Sequence, residues 1–502
     1  MGEGVGVPRY ALLCLLCLIL HAPGLTSIPP VDRDEARFAQ ATRQMLETGD
    51  FIRIRFQEQA RNKKPIGIHW LQAAAIALFS TPGSTAIWTY RLPSALAATI
   101  AVLFTSVLGA TLLSSRRAGF VAGVTMASAL ALVVEAHLAK TDAALLAAVV
   151  AGQLALGIVY IRVRAGDPVR RPLAVVFWTA EAAGILLKGP AAPALALLAV
   201  ATLSIADRNI RWIKALRPIA GLILTTLITA PWFVAIEQAT EGRFLAESFW
   251  QDLVPKLVDE QESHGAPPGS YLALSLASFW PGSLFLVPAL VLLVGGALAQ
   301  DFRFPPAGLL RRVESIVTAP WGVVTIAFAA ALVALPFWLG SGTSSSAIIA
   351  VATLLVLALS LLLNRRRPIV SAGLTGVLAA AFVLPASVVV PGLDLLWLSR
   401  TAATLVARHL SRPGEAVVSV GYSEPSLVFL LGTATRLATA APGDRQLAGA
   451  GMALVSDRED AAFRRSLATS RLNLNAVDRV TGLDYSAGGG RVILTLYDLE
   501  PR

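Results

Sequence analysis

Long apolar runs separated by short charged clusters fill most of the first 391 residues of this 502-residue chain. Eleven of these runs approach the length of about 20 residues that a helix needs to cross a lipid bilayer. The pattern therefore predicts an all-α polytopic membrane protein with about 11 transmembrane helices. The predicted spans are 10–28, 91–113, 118–137, 143–161, 173–187, 190–206, 219–237, 271–298, 319–340, 347–363 and 369–391.

Two apolar segments need a separate interpretation. The run 67–80 is too short to cross a membrane comfortably and begins with His69 and Trp70, so we interpret it as a helix on the membrane surface. The first run, which follows Arg9, fits either a cleaved signal peptide or a retained span. A retained span is favoured, because no convincing small-x-small cleavage site precedes the acidic stretch and because Pro29-Pro30 follows the apolar run.

The basic residues predict how the spans are oriented. The net charge is +10, and most basic residues lie in clusters between apolar runs. With a cytoplasmic N-terminus, these clusters fall inside and the turns poor in Lys and Arg fall outside, which is the positive-inside pattern. The inside clusters are 116–117, 162–171, 208–217, 303–312 and 365–367, and the outside turns are 138–142, 188–189 and 341–346. The positive charge thus reflects membrane orientation, and no nucleic-acid partner is expected.

The C-terminal residues 393–502 differ in pattern from the membrane part, 1–392. They fall outside in the predicted topology, as does the first outer loop, 29–90. Short β-branched runs at 416–420, 453–455 and 492–497 predict strands of a small soluble α/β domain. The two cysteines, Cys14 and Cys17, both lie in the first apolar run, so they indicate neither a disulfide framework nor a metal site.

Charged residues are dense just after the first predicted span. From Asp34 to Thr48 the apolar residues fall on one helical face, with Asp34 placed as N-cap and Gly49 as C-cap. An amphipathic interfacial helix explains this stretch without any activity. The functional alternative makes Asp34 a general base or an acceptor-orienting carboxylate, with Arg37 and Lys64 holding a phosphate.

Other ionisable residues fall on the same outer face. Asp142 opens one predicted span, Lys188 closes another, and His264 lies in a later outer loop. Each has an ordinary explanation: a helix N-cap, a snorkelling lysine and a loop histidine without a role. Their convergence with Asp34 and Lys64 favours a functional site, because ionisable residues at span ends are functional candidates.

Three classes of function compete for this pattern. A transporter or lipid flippase also needs many spans and phosphate contacts, but it predicts ionisable residues near the bilayer midplane and repeated halves. A non-catalytic assembly factor that displays the C-terminal domain leaves the convergence of charges unexplained. An enzyme that acts on a polyprenyl-phosphate-linked substrate accounts for it.

Several motifs, taken in order, resemble those of the ArnT-like glycosyltransferases. These are the 4-amino-4-deoxy-L-arabinose lipid A transferases and their relatives, which are related to the protein O-mannosyltransferases. The segments DEARFA at 34–39 and MLETGD at 45–50 are similar to the family's DEARYAE and MLESGDW, and KPIGIHWL at 64–71 is similar to its EKPPLLYWL. Further similar segments lie at 90–96, 116–119, 141–145, 187–190, 264–268 and 421–429. The likeness covers nearly the whole chain.

This resemblance implies a GT-C glycosyltransferase fold in a bacterial inner membrane, with periplasmic surface helices and a periplasmic C-terminal domain. It implies an inverting transfer of a sugar from undecaprenyl phosphate to a lipid or glycan acceptor of the envelope, lipid A or lipopolysaccharide core foremost. A protein O-mannosyltransferase-like activity is the alternative. The implied roles are catalytic for Asp34 and Asp142, donor-phosphate binding for Lys64, Arg37 and Lys188, and substrate contact for Glu35, His69 and His264.

The chain departs from the family pattern around the expected sugar-phosphate pocket. In that family a Glu and the loop histidine can share a metal, but Lys63 stands at the position of that Glu. The resemblance therefore implies no certain cofactor, and His264 is the remaining candidate metal ligand. Ile66 and His69 replace the family's second proline and its tyrosine, which leaves the identity of the sugar open.

Overall fold

The computed structural model describes residues 7–248, 250, 269–291, 307–339, 345–410, 416–442, 444–468 and 472–501. Helices make up nearly all of its membrane part. They are α1 (Val7–His21), α2 (Asp34–Thr48), α3 (Gly67–Phe79), α4 (Ile87–Leu112), α5 (Arg116–Ser128), α6 (Leu130–Ala136), α7 (Asp142–Ala165), α8 (Arg171–Lys188), α9 (Ala191–Asp207), α10 (Pro218–Ala239), α11 (Arg243–Glu247), α12 (Ser270–Ser278), α13 (Ala307–Leu339), α14 (Ser345–Asn364) and α15 (Pro368–Val389). A two-stranded hairpin, β1 (Arg55–Phe56) and β2 (Gln59–Ala60), interrupts the first loop.

The helical, membrane-type character of the chain is confirmed, but the number of eleven spans is not. Among the described residues, five helices are long and apolar enough to cross a membrane: α4, α7, α10, the Ser315–Leu339 part of α13, and α15 with the turn after it. The count rises to six if the bent pair α5–α6 is one span. Helices α1, α3, α9 and α14 are apolar but shorter. The 13-residue length of α3 agrees with the prediction that 67–80 does not cross.

Two predicted spans are interrupted. The run 118–137 bends by 61° between α5 and α6, at Ala129. The amide freed at the break is satisfied by tertiary contact, because the Leu130 N–H donates to the Trp280 carbonyl at 3.0 Å. In the described part of the run 271–298, helix α12 ends at Ser278 and the chain continues in a short 3-10 helix, Gly282–Phe285.

Small residues allow close packing in the centre of the bundle, as is common between membrane helices. Helices α4 and α5 approach closely at Gly119, where a Cβ atom would lie only 2.4 Å from the Ser106 carbonyl oxygen. Fully buried Ala98 and Ala136 belong to the same core cluster. The bundle thereby fixes the loops that carry the charged residues.

The C-terminal residues form one mixed sheet with strand order β4-β3-β5-β7-β6. Strand β3 pairs in parallel with β4 and β5, whereas β7 is antiparallel to β5 and β6. The elements are α16 (Leu398–His409), β3 (Ala416–Val420), α17 (Pro425–Leu431), β4 (Arg436–Ala438), α18 (Asp444–Leu447), β5 (Ala450–Ser456), α19 (Asp457–Leu467), β6 (Leu472–Asp484) and β7 (Gly490–Pro501). The three predicted strands are present as β3, β5 and β7, whereas β4 and β6 were not predicted.

Candidate active site

Helix α2 carries the first of the predicted site residues. Its apolar face is buried, with Phe38 and Met45 each 2% exposed. The prediction that Asp34 is the N-cap is wrong, because Arg33 holds that position and Asp34 is the first helical residue. Asp34 is exposed there, where the helix dipole favours a negative charge. Gly49 ends the helix in the left-handed conformation, as predicted.

A buried ion pair attaches the start of α2 to the bundle. Glu35 is 1% exposed and Arg91 is fully buried, and their side chains meet through two hydrogen bonds of 2.7 and 2.8 Å. The carboxylate also accepts the backbone N–H groups of Val31 and Ala139 at 2.8 and 2.9 Å. The Arg91 guanidinium also donates to the carbonyls of Leu25, Ile28 and Pro29. This geometry fixes the first turn of α2, which begins with Asp34, against the bundle. The predicted substrate contact of Glu35 stays a prediction.

The Phe38 ring supports two cations of the first loop. Lys64 Nζ lies 5.3 Å and the Arg61 guanidinium carbon 5.5 Å from the ring centroid, which is cation–π range. His69 stacks on the same ring, with centroids 5.4 Å apart, and its Nδ1 lies 2.7 Å from Thr42 Oγ1. Burial, and then Arg61, lowers the pKa of His69 to about 3. At 2% exposure, this neutral histidine is buried beside the Phe38 ring. Its predicted substrate contact stays a prediction.

A second group of charges lies where α7 begins and α8 ends. Asp142 begins α7 and Lys188 ends α8, so the prediction that these residues occur at helix ends is confirmed. The structure also shows that they form an ion pair, with Lys188 Nζ 2.5 Å from Asp142 Oδ1. Lys140 bridges two carboxylates, 3.0 Å from Glu135 and 3.7 Å from Asp142. Burial alone would lower the pKa of Lys140, but these carboxylates and Asp34 outweigh it and raise the pKa.

Electrostatic interactions between their charges link the two groups, and we call the combined set the charged cluster. Asp34 interacts with Lys140 and with Arg61, and Lys64 interacts with Asp142. The cluster comprises the cations Arg37, Arg61, Lys64, Lys140 and Lys188 and the carboxylates Asp34, Glu135 and Asp142. Five cations against three carboxylates leave two formal positive charges, which suits a phosphate group.

Sequence reasoning missed three members of this cluster. Arg61 lies just before Asn62-Lys63-Lys64, and Lys140 lies just before Thr141-Asp142. For both residues, the only signal in the sequence was that they stand next to a motif segment that carries a predicted site residue. Glu135 gave no such signal, because its role depends on the bend between α5 and α6.

The C-terminal sheet docks beside the start of α2. Asp32 Oδ1 accepts the Ser426 N–H at 3.2 Å, and Tyr485 accepts the Asp32 N–H at 2.8 Å. Ser486 donates to Glu424 in the same seam. Burial, with Asp32 and Asp484 adding to it, raises the pKa of Glu424 to about 7. The seam therefore holds one carboxyl group with a pKa of about 7, Glu424, and includes Asp32, which lies two residues before Asp34.

The donor set does not support a metal in this part of the molecule. The family position for a carboxylate ligand holds Lys63, which is exposed. Among the described residues, no group of three or more His, Cys, Asp or Glu side chains could hold a metal ion. His264 lies outside the described residues.

The sequence is similar to those of several known proteins. The family model described as Dolichyl-phosphate-mannose-protein mannosyltransferase matches residues 11–244. The undecaprenyl phosphate-alpha-4-amino-4-deoxy-L-arabinose arabinosyl transferase of Aeromonas salmonicida is 26% identical over 321 residues, 63% of this chain and 54% of that protein. The transferase of the same name from Edwardsiella ictaluri is 28% identical over 297 residues, 58% and 50% of the two chains. The chain thus spans about half the length of the curated relatives it matches.

Solved structures share the fold along nearly all of the chain. The crystal structure of ArnT from Cupriavidus metallidurans in the apo state has a TM-score of 0.67 at 19% identity and 98% coverage of both chains. The same protein bound to undecaprenyl phosphate gives 0.64, with equal identity and coverage. The chain therefore has the fold of these ArnT structures, and its sequence is similar to the arabinosyl transferases and, over residues 11–244, to the mannosyltransferase family model.

Proposed function

We propose that this protein is an integral membrane glycosyltransferase that moves a sugar from undecaprenyl phosphate to an envelope acceptor, lipid A or lipopolysaccharide core foremost. The observation that carries the proposal is the charged cluster: two surplus positive charges beside an exposed carboxylate, Asp34, at the ends of membrane-type helices. The names of the relatives support the donor and the reaction class.

The proposed reaction uses the cluster in two ways. Lys64, Arg37 and Lys188 stabilise the departing phosphate as the bond between the anomeric carbon and the phosphate oxygen breaks. The acceptor oxygen attacks the opposite face of the anomeric carbon, which inverts its configuration. With a hydroxyl acceptor, Asp34 orients the oxygen and takes its proton; with a phosphate acceptor no base is needed, and Asp34 acts by positioning. Asp142 holds Lys188 in place at 2.5 Å.

The proposed topology has eleven spans, an inner-membrane location, a cytoplasmic N-terminus and the charged cluster at the periplasmic face. Residues 393–502 form a periplasmic domain against the membrane domain, 1–392. The distribution of basic clusters supports this orientation. The contacts of Asp32 with Ser426 and Tyr485 support docking of the C-terminal domain on the active-site face.

A protein acceptor is the second candidate, favoured by the mannosyltransferase family model over residues 11–244. A polyprenyl-lipid transporter is a weaker alternative, because the charged cluster lies at helix ends, not along the middle of spanning helices.

Two measurements test the proposal. Mass spectrometry of envelope lipids and proteins, with and without the protein, should show a sugar-sized mass lost from lipid A or its core; loss from a glycoprotein would select the second candidate. In membranes supplied with the donor lipid, Asp34→Asn and Lys64→Ala should each abolish transfer. Lys63→Ala, an exposed neighbour outside the cluster, is the matched control and should retain it. Near-normal transfer by both cluster variants would refute the assignment.

A further inference from the structure

A cavity of about 420 Å³ lies between α8, α9, α10 and the short 3-10 helix Arg211–Leu216, apart from the charged cluster. Its walls are almost entirely apolar side chains. Leu197 and Leu222 line it and are 68% and 57% exposed. The cavity therefore opens sideways, onto the apolar surface that a bilayer would surround.

One carboxyl group interrupts this apolar lining. Glu181 of α8 is 5% exposed, and its Oε2 atom is buried without a hydrogen-bond partner. The other polar wall groups are paired, because Trp178 Nε1 donates to the Leu216 carbonyl at 2.8 Å and Thr225 donates to the Trp178 carbonyl at 3.2 Å. An unpaired polar atom in an apolar cavity is costly, so Glu181 Oε2 favours a ligand that brings a hydrogen-bonding group.

Positive charge lies next to the cavity, on and beside the 3-10 helix that forms one of its walls. Arg211, Lys214 and Arg217 are exposed on or beside the 3-10 helix whose Ile213 and Leu216 line the cavity. Trp178 donates a hydrogen bond to that 3-10 helix. Glu181 follows Trp178 by three residues in α8, so it lies about 4.5 Å farther along the helix axis, away from the 3-10 helix. The order from surface to interior is cations, then a carboxyl, then hydrocarbon. Phospholipids have the complementary order: phosphate, ester and acyl chain.

We propose that this cavity is a binding site for one anionic glycerophospholipid. Its phosphate pairs with Arg211 and Lys214, an ester carbonyl accepts a hydrogen bond from the carboxyl group of Glu181, and an acyl chain fills the apolar volume. In the proposed orientation the lipid belongs to the cytoplasmic leaflet.

The site is separate from the one proposed for the donor. Lys188 of the charged cluster lies ten residues along α8 from Trp178, about 15 Å of rise, so one phosphate cannot serve both places. The inference does not depend on the transfer reaction. A protein that transfers the sugar but does not bind the lipid would contradict the lipid site alone. A protein that binds the lipid but does not transfer the sugar would contradict the proposed function alone.

Native mass spectrometry of the delipidated full chain tests the site. The protein is incubated with phosphatidylglycerol and phosphatidylcholine of identical acyl chains. One phosphatidylglycerol should be retained over phosphatidylcholine by at least about fivefold, the preference expected from one basic residue at an anionic lipid. Lys214→Gln should lower that preference. Equal retention of the two lipids would overturn the proposal.

Two pairs of variants locate the lipid. Leu197→Trp fills the cavity mouth and should abolish retention, whereas Leu198→Trp, on the same helix at 64% exposure and outside the lining, should keep it. Glu181→Leu should reduce retention, whereas Glu181→Gln, which can still donate, should keep it. Leu222→Trp closes the mouth from α10 and replaces Leu197→Trp if that variant fails to fold. Equal phosphatidylglycerol retention by the two members of each pair would refute this occupant. So would a result in which Leu197→Trp blocks the binding of undecaprenyl phosphate and leaves that of phosphatidylglycerol unchanged.

Discussion

Removing the Glu35 carboxylate is expected to loosen the proposed active site by leaving Arg91 without its partner. In Glu35→Ala, the fully buried Arg91 loses the two charge-assisted hydrogen bonds of 2.7 and 2.8 Å. Deleting one partner of a buried ion pair costs about 3–5 kcal/mol, because the other charge stays buried. The backbone N–H groups of Val31 and Ala139 also lose their acceptor. The expected loss of about 3–5 kcal/mol corresponds to about a 10²- to 10⁴-fold change in the unfolding equilibrium.

A matched control lies on the same helix. Glu47 pairs with Arg43 at 2.8 Å and accepts a hydrogen bond from Thr433 at 2.6 Å, but the Glu47 and Arg43 side chains are 29% and 13% exposed. Glu47→Ala should therefore cost only about 1–2 kcal/mol. Reversible unfolding in mixed micelles, followed by circular dichroism, measures both variants. Transfer activity is then measured at a temperature where both variants are folded. Lower activity of Glu35→Ala than of Glu47→Ala would indicate that Asp34 is no longer held in position. A loss for Glu35→Ala within about 1 kcal/mol of the control would show that the pair does not hold α2 in place.

Three further changes test the electrostatics of the site. Arg61→Gln removes a cation facing Asp34 and should lower transfer about tenfold or more, mainly through a higher KM for the donor; unchanged kinetics would exclude Arg61 from phosphate binding. Asp142→Asn combined with Lys188→Met should lose no more activity than the worse single variant, because the two groups form one ion pair; additive losses in the double-mutant cycle would show independent roles. Glu424 has its pKa raised by burial from 4.5 to about 7, so the folded protein holds a proton that the unfolded chain releases in that window, and this group's contribution to stability falls as pH rises through it. Glu424→Gln should flatten that decline in unfolding temperature, and an unchanged pH profile would contradict the assignment.

Element boundaries set by local signals were predicted well. Gly49 ends α2, Asp142 begins α7 and Lys188 ends α8, because capping and apolar periodicity act within one or two helical turns. The break at Ala129 could not be predicted, since neither Pro nor Gly marks it and its freed amide is satisfied by the distant Trp280. Strand β6 was missed because it lies at the sheet edge with most of its side chains accessible, so it lacks a clear alternation of apolar and polar residues.

The sequence by itself determined the helical membrane class, the family resemblance and the placement of ionisable residues at helix ends, because hydropathy and local motifs are read along the chain. Tertiary structure decided which of those residues meet. It joined Lys188 to Asp142, brought Arg61 and Lys140 to Asp34, and turned Glu35 inward to Arg91. These partners are far apart in sequence, and their contacts arise only when helix packing closes the intervening loops, which no local pattern encodes.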